Sequence, residues 1–319
     1  MYFLKSIFQV SFLGLVQGLT EFLPVSSSGH LVIIQHFLPL VNQQPVVLDL
    51  MLHLGSLLAL LVYFFSKIKN IFIDKKLISS IISSKARKKV LSEARVLISR
   101  ETRKKVLSEA RVLISSKARK KVLSEARVLI SRETRKKVLS EARVLILATI
   151  ITVVIVFPFR KIVETSFSNL RFAGIMLIGT GIVLFLASRK KGNNKDKVGF
   201  KEAIMVGLGQ ALAVFPGISR SGLTISAGIG SGLKSNVATE FSFLLAIPLI
   251  TGAAVLEIPK IISVSSGLLL IYFIGFLVSF FVSLFSLKLL MKILKLNQKN
   301  LVYFAYYCFL VGLTVILGV

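Results

Sequence analysis

The sequence predicts an all-α polytopic membrane protein. Six transmembrane helices and two re-entrant helical hairpins are expected, related as an inverted-topology repeat and carrying a basic, repetitive cytoplasmic insertion. Three observations predict it. The 319 residues are 54% hydrophobic with a mean hydropathy of +0.80, far above a soluble composition. The stretch Gly14 to Leu31, GLVQGLTEFLPVSSSGHL, aligns without a gap to Gly207 to Thr224, GLGQALAVFPGISRSGLT, at a constant offset of 193 with eight of eighteen positions identical. Basic residues also gather in short loops between apolar runs, as cytoplasmic loops do.

In chain order, Lys5 to Leu40 is apolar but broken by Pro24 and a Ser-Ser-Ser-Gly run. Two short helices meeting at an unwound polar loop fit this better than one straight span, because non-helical backbone at membrane depth must be buried in protein or line a wet cavity. Val46 to Phe65 reads as a clean span of about 20 residues. Leu147 to Phe159 extends a hydrophobic run that begins in the preceding repeat, Arg160 to Arg171 reads as a polar loop, and Phe172 to Ala187 as a span. A basic loop at Ser188 to Lys201 precedes a second broken segment, Glu202 to Leu233, with Pro216 and Gly217 at its break. Val237 to Leu256, Gly267 to Leu287 and Leu301 to Val319 complete the apolar set, with a basic Lys288 to Lys299 loop before the last.

If the loops near 66–146, 188–201 and 288–300 all face the cytoplasm, each broken segment must leave on the side it entered. That makes 202–233 a second re-entrant hairpin and puts both chain ends outside. Similar segments in opposite orientation are the signature of an inverted repeat whose polar breaks meet within the membrane. The expected divisions are 1–82, a first half with one hairpin and one span; 83–146, the insertion; and 147–319, the remaining spans. The start of the chain lacks a small-residue cleavage site and does not read as a signal peptide. Cys308 has no second cysteine to pair with.

The net charge of +27 is uneven: Ser83 to Ile146 holds 20 Lys+Arg against 6 Asp+Glu. Within it RKKVLSEARVLI occurs four times, starting at Arg87, Arg103, Arg119 and Arg135. Sixteen residues at about 100° each turn the apolar face by roughly 160° between units, which argues against one continuous amphipathic rod. A duplicated insertion without a part in the chemistry is the favoured reading. Short helices on the cytoplasmic membrane surface are the alternative. Basic loops facing anionic lipid account for the rest of the charge, so no nucleic-acid partner is expected.

The motif around Glu21 resembles the undecaprenyl-diphosphate phosphatase family, the integral-membrane enzymes associated with bacitracin resistance. LVQGLTEFLPVSSSGHLVI fits that family's first signature, with Gln17 and Glu21 as its E/Q-x-x-x-E element. PGISRSGLT at Pro216 to Thr224 fits the second, and EFSFLLAIP at Glu240 to Pro248 is similar to the family as well. The resemblance covers the chain apart from 83–146. It implies hydrolysis of undecaprenyl diphosphate to undecaprenyl phosphate and phosphate in the bacterial cytoplasmic (inner) membrane, with the site on the outer side. That activity recycles the lipid carrier for cell-wall synthesis and confers bacitracin resistance. The implied partners are an isoprenoid lipid diphosphate and membrane lipids, and a homodimer is left open.

The residues suit that chemistry. Phosphoryl transfer is catalysed chiefly by positioning and by stabilising spread charge. Arg220 offers a planar fork of donors for phosphate, with Ser219, Ser221 and Thr224 as hydroxyl donors around it and Ser26 and Ser28 from the first loop. Glu21 is a metal ligand or a general base. Gln17 lies one helical turn before it on the same face; its carbonyl oxygen is a candidate to join a Mg²⁺ or Ca²⁺ shell or to bind a bridging water, more weakly than a second carboxylate would, and helix packing is the alternative. His30 is a candidate acid–base partner for a serine, or takes the phosphoryl group itself. Ser27 is favoured as nucleophile over Ser26, with direct attack by water still open. His36 and His53 have ordinary apolar or interfacial settings and stand outside the expected site. A transporter or lipid flippase is the alternative, since inverted repeats with broken helices are also a transporter architecture.

Overall fold

The computed structural model describes residues 2–38, 45–72, 140–191, 194–262 and 264–318. The expected insertion over 83–146 lies outside these up to residue 139. Two units are distinguished, Met1–Phe65 with Arg143–Val319, and Ser66–Ala142. Of the second, only 66–72 and 140–142 are described, and both stretches are helical.

Among the described residues there is no named strand. The helices are α1 (Tyr2–Thr20), α2 (Ser27–Phe37), α3 (Pro45–Tyr63), α4 (Phe65–Phe72), α5 (140–156), α6 (Arg160–Ser166), α7 (Leu170–Arg189), α8 (Phe200–Leu212), α9 (Arg220–Gly230), α10 (Ser235–Ile262), α11 (Ser266–Leu296) and α12 (Leu301–Gly318). Among the described residues, seven stretches are long and apolar enough to cross a membrane. Six correspond to the spans read from sequence; the seventh is α1, the first arm of the expected hairpin. Its helix runs unbroken to Thr20, and 19 residues already rise about 28 Å.

Three boundaries differ from the sequence reading. α11 runs 31 residues to Leu296, so Lys288, Lys292 and Lys295 are helical rather than a loop. Cations in the last turns complement the helix dipole, and their stems can lie along apolar surface. α10 continues through Pro248 and Pro259 to Ile262. The stretch 160–171, expected as a loop, contains α6.

Small residues set the packing. A Cβ on Gly14 would meet Gly275 O at 2.7 Å, and one on Gly18 would meet Ser279 O at 2.9 Å. One on Gly55 would meet Phe276 O at 2.4 Å. Such close backbone approach is how membrane helices associate without a hydrophobic drive between them. Hydroxyls reinforce it: Ser279 Oγ donates to Leu52 O at 2.7 Å and Ser286 Oγ to Leu19 O at 2.8 Å. On α3, Leu52 lies against Gly275 and Ser56 accepts from Ser283 at 2.9 Å, and on α1 Gly14 lies against Gly275 and Leu19 accepts from Ser286. Both sets advance together along α11, so α1 and α3 run in the same direction and the chain must return between them.

In the second half, α8 and α9 are tied at one end. Lys195 N–H donates to Gly232 O, and Lys234 N–H to Lys195 O, both at 3.1 Å. Lys195 Nζ reaches Glu202 Oε1 at 2.5 Å and Ser231 O at 3.1 Å. The start of α8 and the end of α9 therefore share one anchor. Close by lie the ends of α7 and α11, since Gln298 Nε2 donates to Ala187 O at 2.7 Å and Ser235 Oγ to Leu294 O at 2.8 Å.

Candidate active site

The two aligned loops build corresponding turns. Ser26 caps α2 by accepting from Gly29 N–H at 3.3 Å, and Ser219 caps α9 by accepting from Gly222 N–H at 3.0 Å. These are the positions paired at the 193 offset. A serine cap satisfies an N–H that the first helical turn leaves without a partner. The loops also cross each other: a Cβ on Gly29 would meet Gly217 Cα at 2.9 Å, and Ser221 Oγ donates to Leu23 O at 3.2 Å. Thr180 Oγ1 on α7 donates to Gly217 O and accepts from Ser219 N–H, each at 3.0 Å. On α12, Cys308 Sγ lies 3.8 Å from Pro24 O, and Pro24 is the residue aligned with Gly217.

Glu21 is the hub where the loops meet. Its Oε1 pairs with Arg220 Nη2. Its Oε2 accepts from Ser27 Oγ at 2.6 Å and from Gln17 Nε2 at 2.9 Å. The carboxylate is nearly inaccessible and the guanidinium mostly buried, so each charge needs the other. Charge-assisted hydrogen bonds of this kind are short and strong.

A cavity of about 280 Å³ opens beside this pair. Its polar wall is Glu21, the Ser26–Ser28 run, His53, Ser219 and Arg220, and Leu50, Leu249 and Ile250 are among its apolar lining. Because Ser26 and Ser219 are the caps of α2 and α9, both helix N-termini reach the cavity. Their N–H groups and partial positive charge make such ends suited to anions.

The expected site residues divide. Glu21, Ser26, Ser27, Ser28, Ser219 and Arg220 line the cavity together. Gln17 is fully buried behind Glu21, with Oε1 lacking a hydrogen-bond partner. Ser221 and Thr224 serve the scaffold: Thr224 Oγ1 donates to Arg220 O at 2.7 Å and also contacts Ser242 Oγ. His30 does not face Ser27. Its Nδ1 lies 2.7 Å from Ser26 O and its Nε2 2.7 Å from Tyr307 Oη. A carbonyl only accepts, so Nδ1 donates and the neutral ring takes the Tyr307 proton on Nε2. With both nitrogens engaged, this geometry offers no acid–base contact to a serine.

Sequence reasoning missed His53 and Tyr307. His53 lines the cavity with Nε2 3.6 Å from Glu21 Oε2. The signal was present: His53 and Asp49 stand one turn apart in an otherwise apolar span, where ionisable groups are costly.

The model of the family described as bacitracin resistance protein BacA matches residues 10–314. The chain belongs to the BacA family. Relatives named undecaprenyl-diphosphatase align over nearly the whole chain. One from Carboxydothermus hydrogenoformans is 34% identical over 97% of this chain and 96% of its own. One from Desulforapulum autotrophicum is 33% identical over 98% of each. One from Treponema denticola is 35% identical over 97% and 96%. Membership fits the multi-pass architecture, and the family's matched stretch contains both loops of the site.

Proposed function

We propose that this protein hydrolyses undecaprenyl diphosphate to undecaprenyl phosphate and phosphate, recycling the lipid carrier for cell-wall synthesis and so conferring bacitracin resistance. One observation carries the reading: a single buried carboxylate, Glu21, holds the Arg220 guanidinium and the hydroxyl of Ser27 at the edge of one cavity. The relatives' shared name supplies the substrate. It gives no support to the transporter alternative, which needs a phosphate-binding cavity but no polarised serine.

Arg220 and the N-termini of α2 and α9 hold the terminal phosphate. Ser26, Ser28 and Ser219 add hydroxyls on the same wall. Glu21 draws the proton of Ser27, or of a water in its place, as the oxygen attacks phosphorus in line with the leaving lipid phosphate. Ser221 and Thr224 keep the Arg220 turn in place, and His30 keeps the Ser26 turn. The apolar lining receives the first isoprene units.

A divalent cation, Mg²⁺ or Ca²⁺, fits as a companion of the diphosphate. Among the described residues no three His, Cys, Asp or Glu are spaced to hold a metal, so the protein offers one carboxylate, Glu21. Gln17 Oε1, buried without a partner, becomes a ligand if the amide turns over. One carboxylate plus substrate phosphates is a common Mg²⁺ arrangement. When bound, the ion neutralises phosphate charge.

The two broken segments are re-entrant hairpins in this reading. Support comes from the shared direction of α1 and α3 and from the common anchor of α8 and α9 at Lys195. The basic ends of α7 and α11 then face the cytoplasm, both chain ends lie outside, and the cavity opens to the outer side of the bacterial inner membrane. The 83–146 repeat is a cytoplasmic appendage. A homodimer is compatible with this arrangement.

The test is phosphate release by the purified protein from undecaprenyl diphosphate with and without Mg²⁺. Release is expected, and Glu21→Ala and Arg220→Ala should abolish it in protein that still folds. Full turnover in both variants would sink the site, and lipid movement without hydrolysis would restore the transporter.

A further inference from the structure

We propose that His53 is a further catalytic residue of this site, whose Nε2 accepts a hydrogen bond from the water that attacks phosphorus. The inference rests on the phosphatase reading above. His53 Nδ1 lies 2.7 Å from Asp49 O, the carbonyl one turn back on α3. A carbonyl can only accept, so Nδ1 holds a proton, which in the neutral ring leaves Nε2 with a lone pair. His53 is on the cavity wall with its side chain 29% exposed, so the ring is open to solvent and ligand. His30 differs on both counts: its two nitrogens are engaged within the protein, and it is not on the cavity wall.

Nε2 stands 3.6 Å from Glu21 Oε2, beyond hydrogen-bond reach. Two acceptors that close repel unless a donor serves both. Water has two O–H groups and does so, leaving its own lone pairs free for an electrophile. Oε2 now accepts from Ser27 and Gln17. When Ser27 turns its oxygen to phosphorus, Oε2 loses that donor and a water can take its place between Glu21 and His53. In the step that follows, the water oxygen bonds to phosphorus and its proton passes to Glu21. The bond from phosphorus to the leaving oxygen breaks: in a two-step route that oxygen is Ser27 Oγ, which takes back from Glu21 the proton it gave up in the first step, and in direct attack it is the lipid phosphate oxygen, which leaves as the anion. His53 orients the water and changes no bond of its own.

The experiment compares kcat and KM for phosphate release from undecaprenyl diphosphate by the wild type, His53→Leu, His53→Gln and His53→Ala, with thermal unfolding in detergent alongside. The leucine should lower kcat on the order of 10²-fold with KM within about threefold, while the glutamine, whose amide oxygen can accept the same hydrogen bond, recovers at least about tenfold of that loss. Added imidazole should restore turnover to the alanine variant. The proposal is overturned if the leucine keeps wild-type kcat, if its loss lies in KM, or if glutamine and imidazole both fail to rescue. Should the leucine variant unfold, the imidazole arm decides alone, rescue supporting and its absence overturning. A wild type that releases no phosphate instead refutes the phosphatase reading.

Discussion

Glu21 and Arg220, 199 residues apart in sequence, form one ion pair across the crossing of the two loops. Each loop brings half of a charge arrangement that neither can bury alone. Removing either partner leaves an unpaired buried charge, which typically costs about 3–5 kcal/mol. Glu21→Ala and Arg220→Ala should each destabilise the protein by about that much, and the double variant by clearly less than the two costs added. Unfolding in detergent, read by thermal or urea titration, measures the cycle. Strict additivity would show that the pair is not energetically coupled.

The glycine at the loop crossing is a second point of mutual dependence. Gly217 has φ 93°, and a Cβ there would stand 2.2 Å from Ala173 O. Both the backbone conformation and the space exclude a side chain. Gly217→Ala should therefore lower stability by more than about 2 kcal/mol and reduce phosphate release strongly, because the turn displaced is the one carrying Ser219 and Arg220. Gly179→Ala on α7 meets nothing within 4 Å and is the matched control, expected to behave as wild type in both assays.

How far the sequence revealed this site depends on the kind of signal. The 193 offset pointed to two equivalent loops because their turn chemistry repeats: a serine cap, a glycine three residues later and a buried glutamine about two turns before the break. The inverted repeat likewise implied that the loop carrying Arg220 meets the loop carrying Glu21 within the membrane. What stayed hidden were side-chain directions. Nothing in SSSGH says that His30 turns back to its own loop and to Tyr307, and nothing in DLMLH says that His53 faces a cavity, because neighbours from α12 and the loop crossing decide it. The lysines of α11 were misread for another reason. Composition marks where charge lies along the chain but cannot separate a basic loop from the last turns of a long helix.

Ser26 holds the one positive φ among the described non-glycine residues, 70°. Its carbonyl is held by His30 and its hydroxyl caps α2. Ser26→Ala keeps the strained backbone and loses the cap, so a loss of about 1 kcal/mol is expected. Ser26→Gly loses the cap as well but relieves a conformation that costs about 1–3 kcal/mol in a side-chain-bearing residue. Unfolding measurements should rank the glycine variant at or above the wild type and the alanine below it. Tyr307→Phe, which removes the bond to His30, should fall about 1 kcal/mol below the wild type. The opposite order for Ser26 would mean that the backbone here is not strained.

Gln17→Glu tests the companion-cation reading. A second carboxylate beside Glu21 adds a charged oxygen ligand where an amide now stands, so half-maximal phosphate release should need several-fold less Mg²⁺. Without metal, the two carboxylates repel and the variant should be less stable than the wild type. Titration of Mg²⁺ against activity, with unfolding measured in chelator, reads both effects. An unchanged Mg²⁺ requirement would place the cation away from this pair.

The anchor of the second hairpin predicts a pH dependence of stability. Burial pushes the Glu202 carboxyl up, but the hydrogen bonds from Lys195 and from backbone N–H groups outweigh it and hold its pKa below the ordinary glutamate value. A group whose folded pKa is depressed contributes stability that is fully present above its unfolded pKa and is lost as pH falls through the folded one. The wild type should thus unfold more easily as the medium is acidified below the usual glutamate range. Glu202→Gln should lose that part of the acid dependence, and Lys195→Met should shift its midpoint toward ordinary glutamate values. Melting curves between about pH 3 and 7 test this. The sensitive observable is the difference between wild type and Glu202→Gln, which should be largest at neutral pH and shrink with acid. A difference that stays constant across the range would mean that the carboxyl titrates equally in both states and that the Lys195 anchor contributes no charge-dependent stability.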